Sequence, residues 1–134
     1  MGADHMKPRQ PERAEQEAVK RLLLTIGAKF WVAGTVRKKG DHPGTMQTPG
    51  LADMPLVFLP IKNSVRQLVV IEVKSPKAAK TKSGGLRPEQ RELQVCCWEA
   101  GVPYIHGDLD AVIAWLVEHE YVKASQFPHY RVTP

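Results

Sequence analysis

The chain has 134 residues, a net charge of +5 and a hydrophobic fraction of 43%, enough for one compact domain with an ordinary core and too little for two. No apolar run approaches the ~20 residues of a membrane span, and no signal-peptide core follows the start. Cys96 and Cys97 are adjacent and five histidines lie scattered, which argues against a disulfide scaffold or zinc site and for a reduced cytoplasmic protein.

Residues 1–10 are polar and aperiodic, a flexible N-terminus ahead of a domain spanning 11–122. Over 11–27, Ala18, Val19, Leu22, Leu23 and Ile26 recur at helical steps, and Gly27 is a natural stop. Residues 29–36 read as a strand and 37–50 as a polar loop rich in Gly and Pro. A second strand covers about 52–59, where Pro55 requires a bulge or a side without a ladder partner. The β-branched run LVVIEVKS at 68–75 is the clearest strand, and 76–85 reads as a flexible basic loop. Pro88 suits the first turn of a helix that closes at Gly101. Residues 102–106 form a short strand, and Asp108 caps a last helix from Leu109 to about Tyr121. Residues 123–134 form a tail without pattern. The order α-β-β-β-α-β-α predicts an α/β fold, a mixed sheet flanked by helices.

The charge is unevenly placed. Between positions 74 and 91 lie six basic residues, Lys74, Lys77, Lys80, Lys82, Arg87 and Arg91, and one acid, Glu89. That stretch nets 6 − 1 = +5, so the rest of the chain is neutral. A positive patch confined to one stretch suits a polyanion such as DNA. Lys38 and Lys39 are further candidate phosphate contacts.

Glu72 and Lys74 share one face of the 68–75 strand, about 6.5–7 Å apart; such charges are costly to bury without partners, and on these two residues alone an edge-strand ion pair is the plainer account. Asp53 opens the preceding strand, where a hairpin neighbour would set it beside Glu72. Two carboxylates and a strand carbonyl, that of Val73, can hold one hard divalent cation such as Mg²⁺, with Mn²⁺ able to substitute. Lys74 would orient water or neutralise developing charge, making a phosphodiesterase site. Gln90 lies three residues before Leu93 on a helix face with Cys97 and Ala100; an inward amide there needs a partner that those carboxylates can supply, while a solvated first-turn residue accounts for it equally well on the residues alone.

Asp53 with Glu72-Val73-Lys74 resembles the D…(D/E)-x-K core of the PD-(D/E)XK nucleases. The VRR-NUC domain is the most similar subgroup, through Gly50-Leu51-Ala52-Asp53, Ile71–Lys74, Gln90 and Ala100-Gly101-Val102-Pro103. The likeness covers about residues 12–116, with Ala52 where the superfamily name has proline. It implies a restriction-endonuclease-like α-β-β-β-α-β core, a metal held by Asp53 and Glu72, and a second metal contact from a first-helix glutamate. Glu12, Glu15 and Glu17 are the candidates. Gln16 with Val19 matches the family's Q-x-x-(V/L) and favours Glu12, while helix geometry leaves Glu15 open. The resemblance also implies a phage-type, stand-alone Holliday junction resolvase acting as a homodimer in a bacterial or phage-infected cell. Alternatives are a nicking or restriction-like endonuclease on duplex DNA and a non-catalytic DNA-binding module.

Trp31, Trp98 and Trp115 are expected in the core, with the paired cysteines as small hydrophobes. Trp115 and the 121–130 segment are candidates for a dimer interface. His42 lies in the loop before Asp53 and is not counted among the site residues.

Overall fold

The computed structural model describes residues 9–33, 50–82 and 84–127. Helix α1 (Arg9–Ile26) ends at Gly27, whose φ of 91° is open to glycine, and leads into strand β1 (Lys29–Trp31). Strands β2 (Met54–Phe58) and β3 (Leu68–Val73) form a hairpin, followed by a short helix α2 (Pro76–Ala79) and helix α3 (Pro88–Glu99). Strand β4 (Tyr104–Gly107), helix α4 (Leu109–Glu118) and a 3₁₀ turn (Ala124–Gln126) complete the order. The result is an α/β fold with a four-stranded mixed sheet in the order β1-β2-β3-β4.

Strands β1, β2 and β3 pair antiparallel, while β3 and β4 run parallel. β3 is buried on both faces, which its apolar, β-branched run suits. The β2–β3 register shifts between Met54 and Val57, the bulge that Pro55 demands. At the far tip of this hairpin Lys62 bridges Val65, and Asn63 and Ser64 take φ of 54° and 70°, the double left-handed turn that matches strand twist.

One sheet face carries the larger core. Val57, Val69, Ile71 and Val73 pack with Val19 and Leu23 of α1 and with Val112 and Leu116 of α4. On the other face Val70 and Tyr104 pack with Ala52, Leu86 and Cys97 beneath α3. The Asp108 carboxylate accepts from the Ala111 amide at 3.0 Å and starts α4 as its sequence predicts.

Several expectations are corrected. β1 covers Lys29–Trp31, with residues 32 and 33 outside it, and the remainder of the expected strand, 34–36, lies outside the described residues. The segment after β3 is not all loop: Ser75 Oγ accepts from the Ala78 amide at 3.2 Å and Pro76 starts a turn of helix, so α2 forms. Trp31 and Trp98 are not core residues, each being 59% exposed, and Cys96 is exposed whereas Cys97 is buried. Ala100 is also exposed; the buried face of α3 is Gln90, Gln94 and Cys97. Trp115 is half-buried, stacked on His119 at 3.8 Å and on Tyr121 at 6.2 Å between ring centroids. Lys38, Lys39 and His42 lie outside the described residues. Among the described residues no helix is long and apolar enough to cross a membrane.

Candidate active site

The site forms where the β2–β3 hairpin opens, at the C-terminal end of β3. Asp53 precedes β2, and antiparallel pairing carries it alongside the end of β3. Two reciprocal bonds fix it there. The Asp53 amide donates to Glu72 Oε1 at 3.0 Å, and Asp53 Oδ2 accepts from the Val73 amide at 3.0 Å. An extended residue directs its N–H and C=O to the same side, so the Val73 carbonyl faces the Asp53 side as well.

Glu72 and Lys74 meet on the face predicted for them. Lys74 Nζ lies 3.3 Å from Glu72 Oε2, with both side chains nearly inaccessible to solvent. Gln90, in the first turn of α3, ties the group together. Its Nε2 donates to Glu72 Oε2 at 3.1 Å, and its Oε1 accepts from Lys74 Nζ at 3.2 Å and from the Arg87 amide at 2.9 Å. One buried amide therefore satisfies the lysine, the glutamate and an open amide of its own helix start. The approach is close throughout. A Cβ on Gly50 would sit 2.5 Å from the Glu89 carbonyl oxygen, and one on Gly85 3.1 Å from Lys74 Cδ.

Burial pushes the Glu72 carboxyl up to about 7, the Asp53 charge adds to that rise, and Lys74 opposes it. This pair of like charges in a poorly solvated site favours either a proton or a cation. The donor set fits a hard divalent ion: two carboxylates and one strand carbonyl, with room in the coordination shell for water. Among the described residues no three His, Cys, Asp or Glu side chains converge as a metal-binding group. Glu15 is engaged elsewhere, its Oε1 accepting from the Leu109 amide at 2.7 Å at the start of α4. Gln16 and Lys20 line a small pocket of about 70 Å³ with Asp53, and Glu12 lies one turn before Gln16 on the same helix face.

Three residues that sequence reasoning missed join the site, two from β4 and one from α3. The parallel register sets Val70 beside Tyr104 and Glu72 beside His106, so both ring-bearing residues share the face of Glu72. His106 Nδ1 lies 3.4 Å from Gln94 Nε2. Burial lowers the affinity of His106 for a proton, and the charges of Arg91 and Lys74 lower it further. Tyr104 is buried and its hydroxyl has no hydrogen-bond partner among the described residues; burial, then Glu72, pushes its ionisation upward, so it stays a neutral donor. The position of Gln94 one turn from Gln90 was the available signal. Pairing of β4 with β3 was not.

The basic residues take the outer position. Lys77, Lys80, Lys82, Arg87 and Arg91 are exposed, on and after α2 and at the start of α3, and Arg87 Nε lies 3.6 Å from Glu89. Comparison of the chain with protein-family models, with curated proteins and with solved structures finds no match.

Proposed function

We propose that the chain is a divalent-metal-dependent DNA endonuclease with a restriction-endonuclease-like core, similar in pattern to VRR-NUC nucleases, and that it hydrolyses phosphodiester bonds in branched DNA. The observation that carries this reading is the closed network of Asp53, Glu72, Lys74 and Gln90 beside an exposed basic segment. Asp53, Glu72 and the Val73 carbonyl would hold Mg²⁺, or Mn²⁺ in its place, with Glu12 as the first-helix contact. When bound, such an ion supplies Lewis-acid charge at the scissile phosphate.

The protein's own groups do the rest. Glu72 must be ionised to serve as a ligand, and Asp53 keeps its orientation through the Val73 and Glu72 contacts. Lys74 is buried and held by Gln90, a preorganised cation that orients attacking water and balances charge growing on the phosphoryl oxygens. Lys77, Lys80, Lys82 and Arg87 neutralise backbone phosphates and retain the strand. Junction resolution by paired cuts would require a homodimer, because one site cannot cut two strands symmetrically in one encounter.

The test is a cleavage panel of four-way junction, flap, fork and linear duplex, with and without Mg²⁺. Asp53→Asn and Glu72→Gln should abolish metal-dependent cleavage with the fold intact. Lys74→Ala should reduce turnover far more than affinity. Cleavage undiminished in excess chelator, or in either carboxylate variant, overturns the mechanism. Equal rates on junction and duplex would move the substrate to ordinary duplex, as in a nicking or restriction-like enzyme.

A further inference from the structure

Among the described residues, cover on the sheet face that carries Glu72 extends over only half of it. α3 shields its β3–β4 half, where Val70, Tyr104 and Cys97 pack. Across β2 and β1 the same face continues through Phe58, Leu56, Lys29 and Trp31, because Phe58 pairs with Leu68, Lys29 with Phe58 and Trp31 with Leu56. Neither core cluster includes these residues. Leu56 is 43% exposed and Lys29 is exposed. The ring of Phe58 stands at 88° to the Trp31 indole with centroids 5.9 Å apart. Trp31 is 59% exposed and Phe58 is its one ring partner among the described residues, so the indole has surface to offer another ring. Beside it opens a cleft of about 360 Å³, bounded by Leu24 and Gly27 of the α1 end and by Lys29.

We propose that Trp31 and Lys29 form a subsite for an unpaired nucleotide of the DNA strand being cut, the base stacking on the indole and its phosphate meeting the ammonium. The inference rests on the nuclease reading and narrows the substrate to DNA with single-stranded character near the cleaved bond. Charge and position favour this occupant. From the strand registers Trp31 lies two strands across and about two residues along from Glu72, roughly 12 Å at ordinary strand spacings. A stacked strand spans that separation in three to four nucleotides at roughly 3.4 Å each, and an extended unpaired one in fewer. A strand held by its phosphates along the basic segment and the site would thus reach the indole, and every base offers a π-face to it. A second copy of the chain fits less well. Trp31, Leu56 and Phe58 together fall far short of the roughly 800 Å² per partner that a stable dimer buries.

The test measures binding of fluorescein-labelled oligothymidylate and of a blunt duplex of the same length, in chelator so that nothing is cleaved. Trp31→Ala should weaken oligothymidylate binding by about tenfold, the size of one base stack, and leave duplex binding within about twofold. Trp31→Phe should retain most of the affinity, and Lys29→Ala should reduce the salt dependence by about one phosphate contact. A full-strength complex of Trp31→Ala with oligothymidylate overturns the proposal, as does an equal loss on both DNAs. A dimer that Trp31→Ala converts to a monomer also overturns it, assigning the patch to an interface between copies. Binding is read without metal, so this result is independent of whether Asp53 and Glu72 support cleavage.

Discussion

Glu72 is a carboxylate that would hold a proton near neutrality if nothing else arrived. Its folded-state affinity for protons is raised, to about 7 from 4.5, so ionising it opposes folding. The penalty is absent below about pH 4.5, grows as pH rises and is complete above about pH 7, where it amounts to about 3 kcal/mol. Thermal melts should therefore show wild type losing stability relative to Glu72→Gln between pH 5 and 8, with the curves converging at the acid end. Parallel curves would mean that Glu72 is already ionised at pH 5. If Mg²⁺ takes Glu72 as a ligand it needs the ionised form, and its stabilising effect should then grow over the same window. The meeting of Asp53, Glu72, Lys74 and Gln90 was readable in the sequence because each link is short-range in principle: strand alternation sets Glu72 by Lys74, a hairpin returns Asp53, and a helix face aims Gln90. Tyr104 and His106 were not, since their place depends on a parallel crossover register that no local pattern encodes.

Among the elements, α3 is the one whose seating decides the site. Its first turn delivers Gln90, and its backbone at Glu89 presses on Gly50, which has a φ of 88°. Gly50→Ala should cost about 1–3 kcal/mol from backbone strain alone, and the added methyl would push the α3 start outward and slacken the bond from Gln90 to Glu72. The expected outcome is a lower melting temperature together with a loss of metal-dependent cleavage larger than the stability change explains. Unchanged cleavage in a destabilised Gly50→Ala would show that Gln90 does not need its present position. The bulge at Pro55, the Asp108 cap of α4 and the place of Pro88 in the first turn of α3 could be anticipated from residue chemistry. The turn of helix at Pro76–Ala79 was hidden by its own lysines, which read as loop although Ser75-Pro76 is a helix-start signature. Trp31 and Trp98 were misplaced because bulk and apolarity favour burial only where a covering element exists, and Trp31 lies where α3 does not reach.

For the whole molecule the decisive quantity is where the charge lies. The net +5 equals the excess carried by residues 74–91, so DNA affinity should depend steeply on salt and chiefly on that segment. Replacing Lys77, Lys80 and Lys82 by alanine should lower the slope of log affinity against log salt by about 0.9 for each phosphate no longer neutralised, and an unchanged slope would remove the segment from the binding surface. Light scattering at micromolar concentration should give a two-fold dimer, if the chain cuts junctions in pairs; a monomer that still makes paired cuts would end that argument. Trp115 and Tyr121, candidates for such an interface, already spend part of their surface on each other and on the core. The hairpin that carries Asp53 and Glu72 at its open end turns at Asn63 and Ser64, eight residues before Glu72, or roughly 26 Å along the strand. That tip is exposed and remote from the basic segment, so it offers a handle: a dye, biotin or surface linker attached there would immobilise single molecules with the Asp53–Glu72 end facing free solution.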